Sequence, residues 1–221
     1  MTAAMWGLIW TNTLQTLTMV LFSTLFSLML GLPLGILLCI TSPYSQGGII
    51  PKPLLNEVLS RIVNILRSFP FIILMILLFP LARILTGTAI GTKATIVPLS
   101  IAAAPFVARI IESALKEVDP GVVQAARIMG STNSQIIFKV LLPEAMPSLT
   151  AGVTLTIINL IGYSAISGAI GGGGLGDLAI RYGYQRFRPD VMFVAVVIII
   201  VLVEVIQFTG NKISAHMMSK R

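Results

Sequence analysis

The sequence predicts an all-α integral membrane protein, with five transmembrane helices and one short polar hairpin of helices between the third and fourth. Three observations predict it. Hydrophobic residues make up 56% of the 221 positions and charged residues 10%, with a mean hydropathy of +0.95, too apolar for an ordinary water-soluble domain. Charge-free runs approaching or exceeding the length of a bilayer crossing recur along the chain. Lys and Arg total 15 against 8 Asp and Glu, and in a membrane protein such an excess collects in cytoplasmic loops rather than marking a nucleic-acid surface. The single cysteine, Cys39, sits in an apolar run, which excludes a disulfide within the chain and makes it a small buried side chain.

The first span is expected over about Leu14–Ile40. No charged side chain occurs before Lys52, so the start lacks the basic segment of a signal peptide and its apolar run is too long for one. Trp6 and Trp10 precede the span at interfacial positions, and Gly31 and Gly35 have the small-residue spacing that lets two helices approach closely. Pro43, Gly47, Gly48, Pro51 and Pro53 mark a loop. A second span follows from about Leu59 to Ala82, where Arg61 and Arg67 snorkel or face protein and are expected to be interfacial anchors, with substrate contact as the alternative. Gly87 and Gly91 punctuate a turn-rich connection; Thr92 stands where a phosphate loop needs glycine before its lysine, so Lys93 belongs to no nucleotide site.

The third span, from Ala94, contains Pro98 and Pro105 and is expected to be kinked or enclosed by protein. It continues as an amphipathic helix with Phe106, Ile110, Ala114 and Val118 at four-residue spacing and a Glu112–Lys116 pair. The fourth span runs from about Ser148 to Ile170 with Asn159, Tyr163, Ser164 and Ser167 as polar members. These four are expected either to hydrogen-bond between helices or to line a wet path. The segment from Gly171 to Asp190 reads as an external loop, and the last span covers about Val191–Thr209. Glu204 within it is expected to be a paired structural carboxylate, since a proton relay needs a second intramembrane acid.

The polar interruption, Asp119 to Pro147, reads as two short helices meeting at one glycine. Asp119 is an N-cap, Pro120 fits the first helical position, and Gly130 can take the left-handed turn that closes a helix. Thr132 and Gln135 have capping-box spacing, so a second helix restarts at once, and Pro143 and Pro147 limit its continuation. With five spans, placing the N-terminus outside puts ten of the 15 Lys and Arg on the cytoplasmic side and Arg83, Lys93, Arg181, Arg186 and Arg188 outside. That is the N-out, C-in arrangement, with the hairpin cytoplasmic.

The hairpin resembles the cytoplasmic signature of ABC importer permeases, EAA, three residues, Gly, nine residues, Ile, one residue, Leu-Pro. Ala125, Ala126, Gly130, Leu142 and Pro143 fall on it, while Gln124 replaces the usual Glu and Val140 the usual Ile. Gln keeps hydrogen-bonding capacity and loses the charge on which a salt bridge would rest. The runs RSFPFIILMILLFPLAR, AAAPFVARIIESAL and GYSAISGAIGGGGLGDLAIRYGYQRF are similar to the methionine importer permeases in particular. The resemblance implies five membrane helices per subunit and one transmembrane permease domain over residues 1–221, coupled through 119–147. Its implied partners are a second copy, a cytoplasmic ABC ATPase dimer and an external methionine-binding lipoprotein, in a bacterial inner membrane. Asp119, Gln124, Ala125, Ala126, Gly130, Leu142 and Pro143 would couple to the ATPase. The chain itself shows neither catalytic residues nor a cofactor or metal site.

Two rivals follow from the residues. A self-sufficient secondary amino-acid transporter would need inverted repeats and intramembrane ion ligands, and Glu204 is the one carboxylate well inside a span. A DNA-binding helix-turn-helix fits the spacing of Ala126, Gly130 and Ile136 but lacks a supporting third helix and a dense basic face. An enzyme is disfavoured by the lone His216 and by the absence of a nucleophile elbow at Gly162–Ile166.

Overall fold

The computed structural model describes residues 3–43 and 47–219, all helix and connection, with no strand among the described residues. The helices are α1 (Ala3–Thr41), α2 (Pro53–Ser68), α3 (Phe71–Leu77), α4 (Phe79–Thr86), α5 (Thr92–Lys116), α6 (Pro120–Ile128), α7 (Asn133–Gln135), α8 (Leu142–Ser167), α9 (Gly174–Leu178) and α10 (Pro189–Met218). Among the described residues four helical stretches are long and apolar enough to cross a membrane. A fifth results when α2 and α3 count as one broken span. Lys220 and Arg221, assigned above to the inner side, lie outside the described residues.

The second span is therefore not one continuous helix. Pro70 caps the start of α3 with φ −59° and ψ 126°, and a proline also pushes the residue before it out of the helical region. The fourth span starts earlier than expected because Pro143 and Pro147 do not stop it. A π-helical turn, Ile136–Leu141, leads directly into α8, and the Leu142 N–H donates to the carbonyl of Ile137, five residues back. Widening the turn in this way lets the helix run past positions where proline removes the usual donor.

The chain divides into two compact units, and α1, α5, α8 and α10 each contribute to both. The first comprises Met1–Ser27, Phe69–Ala103 and Leu155–Phe208. One apolar cluster in it joins Met19 and Val20 of α1, Leu99 and Ala103 of α5, and Leu160 and Ile161 of α8, with Ile199, Leu202, Val203 and Ile206 of α10 packed against them. Its polar side chains are largely satisfied by their own helix: Thr11, Asn12, Thr13 and Thr18 donate to the carbonyls four residues back, as hydroxyls do where no water is near.

The stretch from Gly171 to Asp190, expected to be an external loop, is instead largely folded and packed. After a 3-10 turn, Gly168–Ile170, it forms α9 and a second π-helical turn, Ala179–Tyr184, with Leu175 and Leu178 fully buried. Gly171, Gly173 and Gly174 all hold φ near +80°, a conformation that disfavours every residue with a Cβ. The Gly174 N–H donates to Gln15 Oε1 and the Leu175 N–H to Thr16 Oγ1, both at 2.9 Å. Those partners lie 159 residues away along the chain, so no local pattern announces them.

The second unit comprises Leu28–Ser68, Ala104–Thr154 and Thr209–Arg221. Here the Gly31 and Gly35 spacing makes a real helix contact. A Cβ at Gly31 would fall 2.6 Å from Val107 Cγ1, and one at Gly35 would fall 2.6 Å from the Ala108 carbonyl oxygen. The predicted Glu112–Lys116 pair forms at 2.8 Å, and Arg109 joins it at 2.6 Å while also donating to Ser60 O and Asn64 Oδ1 of α2. Arg61 pairs with Glu57 on the exposed side of α2. Despite Pro98 and Pro105, α5 is continuous, and 61% of its apolar window is buried, the largest share of the four. The enclosed alternative expected from the sequence is met.

Candidate functional site

The hairpin forms from local rules that the sequence states directly. The Gly121 N–H donates to Asp119 Oδ1 at 2.7 Å, and Pro120 opens α6. At the other end Gly130 has φ +80°, the Gly130 N–H donates to Arg127 O and the Ser131 N–H to Ala126 O. This is the Schellman pattern, in which a left-handed residue lets two orphan carbonyls find donors. Thr132 and Gln135 then complete a reciprocal capping box: the Thr132 N–H donates to Gln135 Oε1 at 2.8 Å and the Gln135 N–H to Thr132 Oγ1 at 3.3 Å.

The second unit fixes this hairpin by burying one side of it. Ala126, Ile136, Ile137 and Leu141 belong to one apolar cluster with Ile36, Cys39 and Ile40 of α1, Val107, Ile111 and Leu115 of α5, and Ala145 and Leu149 of α8. Arg127 also reaches across to donate to Ile49 O at 3.1 Å. The opposite side is open: Gln124, Ala125 and Gly130 are exposed, Leu142 is half-buried and Pro143 exposed. An open cavity of about 530 Å³ lies beside α6, bordered by Gln124, Arg127, Lys116, Cys39 and Val118.

The sequence reading missed what stands at the tip. Ile128 is 87% and Met129 78% exposed, next to each other at the end of α6, and Phe138 is 64% exposed on the following turn. Three large apolar side chains thus stand open on a hairpin whose other side is packed. The signal lay in the helix period: Ile128 falls two residues after buried Ala126, on another face of α6.

The four polar residues of α8 do not share one role. The Ser164 hydroxyl donates to Ile161 O at 2.7 Å and the Ser167 hydroxyl to Ser164 O at 2.6 Å, both fully buried. They are satisfied within their own helix, neither bridging helices nor open to a path in this chain. Tyr163 is half-buried and stacks on Phe71 with ring centroids 4.4 Å apart and planes 7° from parallel. Asn159 is exposed. Glu204 is exposed, and among the described residues no ion pair or hydrogen bond reaches it. The paired carboxylate expected from the sequence is not formed within the subunit.

Residues 31–212 match the model of a family described as Binding-protein-dependent transport system inner membrane component. The chain belongs to that family. Its curated relatives among inner membrane components include a probable D-methionine transport system permease protein, MetI, of Vibrio cholerae. That relative is 49% identical over 204 residues, 92% of this chain and 89% of the relative. A methionine import system permease protein, MetP, of Bacillus subtilis is 51% identical over 206 residues, 93% of this chain and 91% of the relative. Among solved structures, an inward-facing conformation of the MetNI methionine ABC transporter superposes with a TM-score of 0.95 at 45% identity, covering 98% of this chain and 99% of that one. An amino acid ABC transporter crystallised with histidines has the same fold, with a TM-score of 0.71 at 22% identity over 97% of this chain and 94% of the other.

Proposed function

We propose that this chain is the membrane-spanning subunit of an ATP-driven importer that carries methionine inward across a bacterial inner membrane. Two copies surround the path, a separate cytoplasmic ABC ATPase dimer supplies the energy, and an external methionine-binding lipoprotein delivers the solute. The substrate rests on relatives named for methionine transport at 49% and 51% identity over more than nine-tenths of the chain. Five spans make a thin wall, so a path on the two-fold axis of a dimer is the simpler architecture.

One observation carries the coupling role: the hairpin presents Gln124, Ala125, Gly130, Ile128 and Met129 outward while Ala126, Ile136 and Leu141 anchor it in the apolar cluster below. The ATPase grips the open side, with Asp119 capping the first helix and Leu142 and Pro143 leading into the fourth span. ATPase closure then moves the hairpin, and its differential binding in the two ATPase states shifts the spans between inward and outward openings. Asn159 and Tyr163 border the solute path; Ser164 and Ser167 shape the helix behind them. The N-terminus is external and the C-terminus cytoplasmic, an orientation supported by ten cations against five. Residues 1–221 act as one permease domain with 119–147 as its coupling stretch.

The test is uptake of radiolabelled methionine into proteoliposomes holding this chain alone, or with its ATPase and binding protein, with and without internal ATP. Uptake that needs every component and ATP supports the reading; uptake by the chain alone on an ion gradient overturns it in favour of a secondary transporter. Gly130→Trp keeps membrane insertion and loses co-purification with the ATPase, and a normal complex from that variant would remove the hairpin from its assigned role.

A further inference from the structure

The apolar cluster that anchors the hairpin joins α1, α5 and α8, and among the described residues no side chain of α10 enters it. The last helix is also the most thinly covered of the four long ones, with 11% of its apolar window buried against 39–61% for the others. Its inner end is nevertheless held. Over Thr209–Met218 the buried positions are Gly210 and Ser214, with Met217 half-buried, a single stripe at helical spacing. All three meet the first turns of α8. The buried Ser214 hydroxyl donates to the Pro147 carbonyl at 3.0 Å, and the Thr150 hydroxyl lies 3.4 Å from Met217 Sδ while also donating to Met146 O at 2.8 Å. A Cβ at Gly210 would stand 2.8 Å from Thr154 Cβ, so only glycine lets the two helices close up there.

These contacts fall on the side of α8 that faces away from the hairpin. At about 100° per residue, Pro147, Thr150 and Thr154 centre roughly 150° around the helix from Ala145 and Leu149, which sit in the hairpin's cluster. The hairpin itself runs into α8 through the π-helical turn Ile136–Leu141. The first turns of α8 are thus gripped on two sides, by the hairpin's cluster and by the end of α10.

We propose that Gly210, Ser214 and Met217 are positioning residues that make α10 follow α8 when the ATPase displaces the hairpin. The proposal rests on the importer reading and adds to it a fourth helix that the hairpin's own apolar cluster does not reach. Parting the contact strands the Ser214 hydroxyl out of water without an acceptor, a penalty that keeps the two helix ends together. Because α10 is one unbroken helix from Pro189 to Met218, a displacement of its inner end is carried along its length.

The experiment uses the complete complex, this chain with its ATPase and binding protein, in proteoliposomes. In the double variant Ser214→Ala, Met217→Ala, the methionine carried per ATP hydrolysed is expected to fall about fivefold, the span that one buried hydrogen bond controls. Co-purification with the ATPase is expected to stay at the parent level. A ratio equal to the parent's overturns the proposal, because general damage to the fold lowers uptake and hydrolysis together and leaves their ratio alone. A second variant, Thr150→Cys with Met217→Cys, closes the contact covalently. A short bis-thiosulfonate is expected to join the two cysteines within one chain, read as loss of both free thiols, and the joined protein is expected to keep the parent ratio. The parent, whose one cysteine, Cys39, is buried, is the blank for the reagent. Failure to join, or transport that stops on joining and returns on reduction, overturns the proposal. A parent complex without ATP-dependent methionine uptake sinks the importer reading itself, before any variant is compared.

Discussion

Replacing Gly176 by Ala adds one methyl group and tests whether the packed glycine segment holds the first unit together. A Cβ at that position would stand 2.1 Å from the Ala165 carbonyl oxygen, 2.5 Å from its Cα and 2.6 Å from its carbonyl carbon. All three are backbone atoms of α8, so no rotamer change relieves the contact. Ordinary contact begins at 3.4 Å, and the two segments must separate by about 1.3 Å to reach it. The reciprocal contact, Gly168 against the Asp177 amide nitrogen at 2.1 Å, blocks a simple slide. Overpacking a tight interior costs about 1–3 kcal/mol, and backbone on both sides places this case at the upper end. At about 2–4 °C per kcal/mol for a chain of this size, the midpoint of thermal unfolding falls by about 6–12 °C. Gly7→Ala is the matched comparison, since no atom lies within 4 Å of its added Cβ; it leaves the midpoint unchanged or raises it slightly, through better helix propensity. Both are read by heating the purified complex in detergent and measuring the fraction that still elutes as a folded peak. Equal midpoints for the two alanine variants would refute the argument that backbone contact at Gly176, rather than glycine flexibility, is what the segment requires.

Three further outcomes follow from the second unit. Gly130→Ala meets no neighbour within 4 Å but must hold φ near +80°, so it loses about 1–2 kcal/mol from backbone strain alone. Gly130→Asn loses less, and equal losses in thermal unfolding would count against the Schellman turn. Thr132→Ala removes the acceptor for the Gln135 N–H, costing about 1 kcal/mol; amide exchange at Gln135 and Ile136 speeds up while exchange in α5 does not. Glu112→Gln weakens the ion pairs to both Arg109 and Lys116 and lowers the unfolding midpoint by the equivalent of about 1–3 kcal/mol. Adding Lys116→Met to Glu112→Gln should then cost less than Lys116→Met does in the parent, and strictly additive losses would exclude the network.

The parts of this structure that were legible in the sequence are those whose partners lie within one helical turn. Asp119, Pro120, Gly130, Thr132 and Gln135 each make the contact that their spacing announces, because caps and turns are settled by neighbouring residues. The close crossing at Gly31 and Gly35 was legible too, since it needs only small residues on one helix. Where the sequence misled, the deciding partner was distant or was a backbone group. The glycine segment looks like a loop until Gln15 and Thr16 supply acceptors for its amides. Pro143 looks like a breaker until a π-helical turn, Ile136–Leu141, leads straight into α8, and Pro147 sits inside that helix without ending it. Tyr163 looks fully available to a path until Phe71 covers one face of it.

Magnitudes also decide whether the hairpin can move without its surroundings. Ile136, Ile137 and Leu141 are buried in the cluster shared with α1, α5 and α8, and each such side chain contributes about 1.5–3 kcal/mol when taken out of water. Peeling the hairpin away would expose all three, at about 5–9 kcal/mol, whereas states interconverted by a ligand typically differ by only a few kcal/mol. The cheaper motion carries the cluster along. A pull on Ile128 and Met129 therefore acts on residues Ile36–Ile40 of α1, Val107–Leu115 of α5 and the first turns of α8 together. Truncating the contact tip with Met129→Ala should weaken ATPase binding and leave thermal stability unchanged. Truncating the anchor with Ile136→Ala should do the reverse, lowering the unfolding midpoint by the equivalent of about 2–5 kcal/mol. A Met129→Ala protein as unstable as Ile136→Ala would place the tip inside the fold and remove the lever.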